Sequence, residues 1–240
     1  MGTRIGGEFA CLIALAVVPG CSTRQVTVPL LPLLLPAPKT AVLWMEPFDL
    51  LDPSRWREVE VRGHTDYAQV SLDGRSCLRL QSRGGASILL HPIRFDPDDY
   101  EWLSWSWRVD RLIEGEALNQ KEGSDAVARL YVYFESHGLP WQKRNLDYVW
   151  SSTLPVGTIL NSPFSSTSKI IVVESGVAAL GQWRSVERNL QDDYKRCFGE
   201  NPRDVVAIGV MNDTDNTGGE ALAYLDELRV SRQPGSPRNR

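Results

Sequence analysis

The sequence has few histidines, no run of basic residues and none of the common catalytic motifs. Its 240 residues carry 26 Lys and Arg against 30 Asp and Glu, a net charge of −4, so it lacks the clustered cations that sequence-independent binding to nucleic acid requires. None of the three histidines is near a cysteine, which excludes zinc-type ligand spacing. Without a GxSxG elbow, a GxGxxG loop or a P-loop, the chain also lacks the usual parts for acyl transfer and nucleotide binding.

No hydrophobic run is long enough to cross a bilayer. The run at residues 9–18 has about half of the ~20 residues needed and ends in small residues, which is typical of an export signal. Residues 18–21, VPGC, resemble the lipobox of bacterial lipoproteins. That resemblance implies a signal peptide at residues 1–20 and an acylated thiol on Cys21, the first mature residue. Ser22 in the next position resembles the outer-membrane sorting choice of a Gram-negative cell.

We therefore expect an exported lipoprotein that faces the periplasm and contacts the outer membrane through lipid on Cys21. The alternative is plain secretion with an unmodified cysteine. Cys11 leaves with the signal peptide, so Cys77 and Cys197 remain as thiols. In an oxidising periplasm these two could form a disulfide, which could add roughly 4–5 kcal/mol of stability because it closes a long loop. Two buried thiols are the alternative, since the sequence does not give their separation.

Proline separates the export signal from the remainder of the chain. Four prolines in residues 21–40 exclude a regular helix or a central strand. This Pro- and Leu-rich segment is interpreted as a tether that reaches up to ~60 Å when extended. Residues 41–232 are predicted to form one domain, and residues 233–240 a polar tail. Eight tryptophans, fifteen prolines and nineteen glycines favour a turn-rich β protein over a helical bundle.

Apolar and polar residues alternate with a period of two through most of the domain. Leu103, Trp105 and Trp107 point to one side of a predicted strand, and the serines between them point to the other. The same signal recurs at residues 77–81, 86–90, 126–134, 146–151, 169–174, 183–190, 205–211 and 221–230. Residues 191–198, followed by Gly199, predict one or two helical turns. The chain is therefore predicted to be an all-β, antiparallel two-sheet sandwich of jelly-roll type with one short helix.

The densest polar cluster lies at residues 212–220, between two predicted strands. Its carboxylates and amides, with Asp213, Asp215 and Asn216 as candidate ligand-binding residues, could form an oxygen cage for a hard cation such as calcium. An EF-hand would need an acid where Tyr224 stands, so that motif is excluded. The alternative is a hairpin loop whose Asn and Asp side chains bond their own backbone through Asx turns.

A second candidate metal site joins the two ends of the domain. Glu46 or Asp49 near the first strand and Asp226 in the last strand resemble the acids that bridge the termini of many carbohydrate-binding jelly rolls through a structural ion. The alternative is a surface aspartate on an edge strand. Structural calcium is the only cofactor that the sequence suggests.

Charged and aromatic residues alternate with core residues on one predicted strand. Asp125, Arg129 and Tyr131 point to its open face, and Asp147 and Trp150 lie on a nearby strand. Flat rings beside a forked donor and carboxylates are suited to polyhydroxylated ligands, so these five residues are candidate ligand contacts. The alternative is a buried ion pair under a loop, with the aromatic residues in the core.

Motifs spread along the domain resemble a bacterial family known as domain of unknown function 3047. They are Ala86-Ser87, the LSWSWRV strand at residues 103–109, Asp125 with Arg129, DYVW at residues 147–150, FGE at residues 198–200, Met211 and DTDNTG at residues 213–218. The last string is the most specific. The resemblance covers roughly residues 47–230 and implies a secreted or periplasmic β-rich protein with no established activity.

These features predict a lipoprotein whose β-sandwich binds a glycan or another envelope component and has no nucleic-acid partner. An enzyme that acts on polysaccharide is the first alternative, with Asp125, Asp213 or Asp215 as acid and base. An envelope scaffold with no small ligand is the second.

Overall fold

In the described residues, thirteen strands and one helix form the domain. The computed structural model describes residues 40–136, 138 and 143–235; the predicted signal peptide, Cys21, the tether up to residue 39 and the tail from residue 236 lie outside them. The strands are β1 Val42–Glu46, β2 Arg57–Arg62, β3 Asp66–Leu72, β4 Arg75–Arg83, β5 Ala86–Phe95, β6 Trp102–Arg111, β7 Ala128–Phe134, β8 Arg144–Ser151, β9 Ile159–Asn161, β10 Ser168–Ser175, β11 Arg184–Asn189, β12 Val205–Met211 and β13 Glu220–Ser231. The helix α1 is Leu190–Phe198.

The strands form two sheets that enclose one core. The six-stranded sheet has the order β11-β6-β13-β4-β3, and β1 pairs with β13 beside this path. The seven-stranded sheet has the order β2-β5-β12-β7-β8-β10-β9. The fold is thus a two-sheet β-sandwich with one short helix, which confirms the predicted fold class.

One strand pair departs from the predicted antiparallel arrangement. β8 and β10 are parallel, whereas β9 pairs with β10 in the antiparallel sense. Parallel neighbours need a crossover of about a dozen residues or more, and residues 152–167 supply it. The period-two pattern of each strand carries no information about this direction, because apolar side chains alternate in the same way in both.

Large aromatic residues connect the two sheets. Trp105 and Trp107 of β6 lie against Tyr148 and Trp150 of β8, with ring centroids 5.4 Å apart for Trp105 and Tyr148 and 6.1 Å apart for Trp107 and Trp150. All four side chains are buried. An aromatic side chain buries about 150–250 Å², which at about 25 cal/mol per Å² gives each ring roughly 4–6 kcal/mol before entropy costs.

The helix α1 begins and ends where its sequence signals lie. The side chain of Asn189 accepts a hydrogen bond from the backbone N–H of Asp192 at 3.0 Å, and Gly199 follows in the left-handed conformation with φ 76°. Both are common end signals, so the short-helix prediction is confirmed. No helix in the described part of the chain has the length and apolar character that a membrane crossing requires.

The disulfide that the sequence left open is not formed. Cys77 and Cys197 are free thiols, one buried and one partly buried, and burial raises the pKa of both to about 11. Cys77 lies in β4, and two strands separate β4 from β11, which leads into α1 and Cys197. Of the two alternatives, the structure has the free thiols.

Candidate functional site

The outer face of the seven-stranded sheet carries the predicted polar residues of β7. Leu130 and Val132 point into the core, so the intervening Arg129 and Tyr131 point outward, as their alternation predicted. In the register of the sheet, Tyr131 lies opposite Asp147 of β8 and opposite Gly209 of β12. The site is therefore built across three adjacent strands.

A buried ion pair lies at the centre of this face. Arg129 donates from Nη1 to Oδ2 of Asp147 at 2.7 Å and from Nη2 to the carbonyl of Ser124 at 2.9 Å. Its Nε is 3.5 Å from Oδ1 of Asp213. Burial opposes the charge on Arg129, but the carboxylates of Asp147 and Asp213 hold its pKa well above the ordinary value. The interpretation of a buried ion pair is thus correct for Arg129 and Asp147.

Asp125 fixes the loop that follows β12. Its Oδ1 accepts hydrogen bonds from the backbone N–H and side-chain Nδ2 of Asn216, at 3.2 and 2.8 Å. Its Oδ2 accepts from the backbone N–H and the hydroxyl of Thr217, both at 2.7 Å. The polar loop is therefore held by a residue more than ninety positions earlier in the chain. Thr217 was missed as a site residue because its partner is remote in sequence.

Three carboxylates meet where this loop approaches β7. One oxygen from each of Asp125, Asp213 and Asp215 lies within 4.8 Å of the others. Burial raises the pKa of Asp213 to about 7, with Arg129 opposing the rise and Asp125 adding to it. Burial and the nearby Asp125 also raise the pKa of Asp215. Such a triad of oxygen donors could hold a metal ion.

An open groove runs beside the triad. The cavity has a volume of about 310 Å³. It is lined by Val61, Ile88, Ser124, Arg129, Tyr131, Tyr133, Asn145, Asp147, Ser162, Phe164, Ser165, Ser168, Met211, Asp213, Asp215 and Asn216. The rings of Tyr131 and Tyr133 stack with centroids 5.5 Å apart and planes inclined by 21°. Phe164, which sequence reasoning missed, is 59% exposed at this groove.

A second cavity continues the groove along the same sheet. It measures about 240 Å³ and shares Ile88 and Tyr133 with the first. Gly209 permits this shape, because a Cβ atom there would come within 2.9 Å of Cγ2 of Ile88 and 3.5 Å of the Tyr133 ring. The two cavities therefore form one surface that is acidic at one end, and mainly apolar with Arg57 and Lys143 at the other.

Trp150 does not belong to this groove, so its assignment as a ligand contact is wrong. It points to the opposite side of β8 from Asp147, packs against Trp107 and is fully buried. Its indole N–H donates to the carbonyl of Gly176 at 3.3 Å. The odd spacing between residues 147 and 150 could have predicted this, since side chains three positions apart on a strand lie on opposite faces.

The acids at the two ends of the domain do not assemble into the predicted calcium site. Oδ2 of Asp226 accepts from Nε of Arg75 at 2.5 Å. Glu46 accepts from the indole N–H of Trp56 at 3.0 Å. Asp49 lines a cavity of about 460 Å³ together with Asp226 and Arg75. The guanidinium of Arg75 supplies the positive charge that the bridging ion was expected to supply.

The fold and the groove together define a class: a β-sandwich with an open, aromatic and acidic cavity on the outer face of one sheet. A family model described as a protein of unknown function, DUF3047, matches residues 54–229. The chain belongs to this family, which confirms the resemblance seen in its motifs. No curated protein matches the chain by sequence.

Several solved structures show a distant likeness. The xylan-binding CBM22-1 domain of Xyn10C from Paenibacillus barcinonensis has 11% identity and a TM-score of 0.38, over 81% of this chain and 96% of that one. The xyloglucanase domain of NopAA from Sinorhizobium fredii, in complex with cellobiose, has 9% identity and a TM-score of 0.42, over 76% and 96%. The glycoside hydrolase domain of Endo-D from Streptococcus pneumoniae R6 has 8% identity and a TM-score of 0.35; the match covers 76% of this chain but only 22% of that chain.

Proposed function

We propose that this protein is a lipoprotein of the outer membrane that binds a glycan in the groove of its seven-stranded sheet. The observation that carries the proposal is the pair of stacked rings, Tyr131 and Tyr133, in the same open cavity as the carboxylates of Asp213 and Asp215. Aromatic faces accept the C–H surface of a sugar ring, and carboxylate oxygens accept its hydroxyl protons.

The length of the groove favours a linear glycan over a single sugar. The two adjoining cavities share Ile88 and Tyr133, so one extended ligand can contact both. The acidic end contains Asp147, Asp213 and Asp215 with one buried arginine, Arg129. This end therefore disfavours a negatively charged sugar unit, whereas Arg57 and Lys143 line the other cavity, so a chain without a high negative charge fits the whole groove best.

The experiment is isothermal titration calorimetry of the purified full-length protein with soluble neutral oligosaccharides and cell-wall fragments. We expect the Tyr131→Ala variant to bind the best ligand roughly tenfold more weakly or worse, which corresponds to about 1.4 kcal/mol. Tyr224→Ala is the matched control, because Tyr224 lies between the core residues Ala223 and Leu225 and points outward from the other sheet. Absence of binding to any fragment, or wild-type affinity in Tyr131→Ala, would contradict the proposal.

Anchoring through Cys21 is tested separately. Cells that express the wild-type chain should incorporate labelled palmitate into the protein, and the Cys21→Ser variant should not. Two or more acyl chains make membrane attachment effectively permanent, so the wild type should also pellet with outer membranes. An unlabelled wild-type chain would contradict the anchor and leave the groove unaffected.

A second candidate function is cleavage of the bound glycan. Asp213 and Asp215 both line the groove with carboxylate oxygens within 4.8 Å, and a carboxyl with a pKa near 7 is suited to general acid catalysis. Asp125 is unsuited to this role because it is fully buried and does not line the groove. Release of reducing ends by the wild type, lost in a folded Asp213→Asn variant, would support the enzyme.

A further inference from the structure

The wall of the groove holds more negative charge than the protein compensates. Asp125, Asp147 and Asp213 are each at most 3% exposed, and Asp215 lies beside them. Among the described residues, the only lysine or arginine that forms an ion pair with these carboxylates is Arg129, which pairs with Asp147 and Asp213. Arg62 is exposed and donates to the backbone carbonyl of Asp215 at 3.3 Å. Buried charges in proteins are normally paired or bound to a metal, so this site needs additional positive charge.

An independent observation points to a missing ligand. Asp147 is 1% exposed and gives Oδ2 to Arg129, but its Oδ1 has no hydrogen-bond partner among the described residues. Asp147 lines the same cavity as Asp213 and Asp215. A buried carboxylate oxygen without a donor costs about 1–3 kcal/mol or more, so a partner from outside the protein explains it best.

We propose that Asp125, Asp213 and Asp215 bind one calcium ion, and that a water molecule of its coordination shell bonds to Oδ1 of Asp147. Calcium takes six to eight oxygen ligands at about 2.3–2.6 Å, so two ligands of one ion are at most about 5 Å apart. The three carboxylate oxygens satisfy that limit. The bonds from Asn216 and Thr217 hold Asp125 in place, as supporting bonds do for other ligating carboxylates.

The ion would join two remote parts of the chain. Asp125 precedes β7, whereas Asp213 and Asp215 follow β12. Calcium at their meeting point fixes the 212–219 loop as one wall of the groove. It also keeps Asp213 ionised, so occupancy of the site and an acid role for Asp213 exclude each other.

The test measures calcium alone, with no glycan present. Full-length protein is freed of metal with a chelator, and calcium chloride is then titrated by calorimetry and in thermal unfolding experiments. We expect one ion per chain and a rise in Tm that grows with calcium concentration. Asp215→Asn should weaken calcium binding roughly tenfold or more, because it removes one charged ligand. Asp49→Asn is the matched control, because Asp49 is an exposed acid that lines the other acidic cavity.

Three results would overturn the proposal. The first is the absence of both heat and Tm shift at millimolar calcium. The second is wild-type calcium affinity in both Asp215→Asn and Asp213→Asn, which keeps the result interpretable if one variant folds poorly. The third is an equal response to magnesium, which would indicate general screening of negative charge. None of these results bears on glycan binding, which is measured with sugars.

Discussion

Two acidic regions lie on opposite sheets of the sandwich, and they differ in how their charges are compensated. In the groove, Arg129 is the only described cation that pairs with Asp147 and Asp213. In the cavity on the six-stranded sheet, Arg75 bonds to Asp226 at 2.5 Å and to Glu227 at 3.2 Å, and its guanidinium lies 4.3 Å from the ring centre of Trp183.

In the second region, even the exposed acid Asp73 has an arginine partner. Asp73 contacts Nη1 of Arg108 at 2.8 Å, and Asp110 contacts Nε of the same arginine at 2.6 Å. Both oxygens of Asp226 are used, because Oδ1 accepts from the backbone N–H of Glu227 at 2.7 Å. The comparison teaches that the number of acids does not identify a ligand site. A ligand site is identified instead by an excess of acids over arginines and by carboxylate oxygens without hydrogen-bond partners.

The largest expected difference between the regions is the effect of removing each arginine. Arg129→Met leaves two carboxylates buried without a counter-charge, so we expect a loss of about 3–5 kcal/mol in the free energy of unfolding at neutral pH. Arg75→Met should cost less, about 2–3 kcal/mol, because Glu227 is more exposed than the groove acids and Asp226 keeps its bond from the backbone N–H of Glu227. Urea unfolding of both variants without calcium measures the two losses in the free energy of unfolding. Equal losses would show that the two regions depend on their arginines to the same extent.

The next difference is the response to pH in calcium-free protein. Folding raises the pKa of Asp213 to about 7 and that of Asp147 to about 6, so between about pH 4 and pH 7 the folded state binds more protons than the unfolded state. Stability from these two groups is therefore full below pH 4 and is lost as pH rises toward 7.

Because each pH unit inside that window costs about 1.4 kcal/mol per group, the stability contribution of Asp213 should fall by roughly 2.5–3 kcal/mol between pH 5 and pH 8. Asp213→Asn should flatten this part of the profile, measured by urea unfolding at several pH values. Asp226→Asn is the matched variant in the other region, where burial also raises the pKa of the carboxyl and Arg75 opposes that rise. A profile that Asp213→Asn leaves unchanged would show that Asp213 does not titrate in this range.

The smallest expected effect is at the edge of the paired region. The side chain of Asp73 is 69% exposed, so Asp73→Asn should change the free energy of unfolding by less than about 0.5 kcal/mol. It should also leave calcium affinity unaltered. Loss of more than about 1 kcal/mol would mean that the second region depends on its charges as strongly as the groove does.

Much of the fold and part of the site could be predicted from local patterns. Alternation located the strands and placed Arg129 and Tyr131 on an outer face, and the end signals located α1. The same rule, applied to β8, would have separated Trp150 from Asp147. Phe164 carried no signal, because it lies in a connection without alternation and is brought to the groove by the β8–β10 crossover.

The sequence by itself determined the local elements: which residues form strands, which side of each strand is apolar, and that acids and amides concentrate after β12. The tertiary structure alone decided which partner, an arginine or a hydrogen-bond donor, each acid contacts. Arg75 and Asp226 are 151 positions apart, and Asp125 and Thr217 are 92 positions apart. Periodicity depends on neighbours along the chain, whereas charge compensation depends on residues that only strand pairing and sheet packing bring within 3 Å.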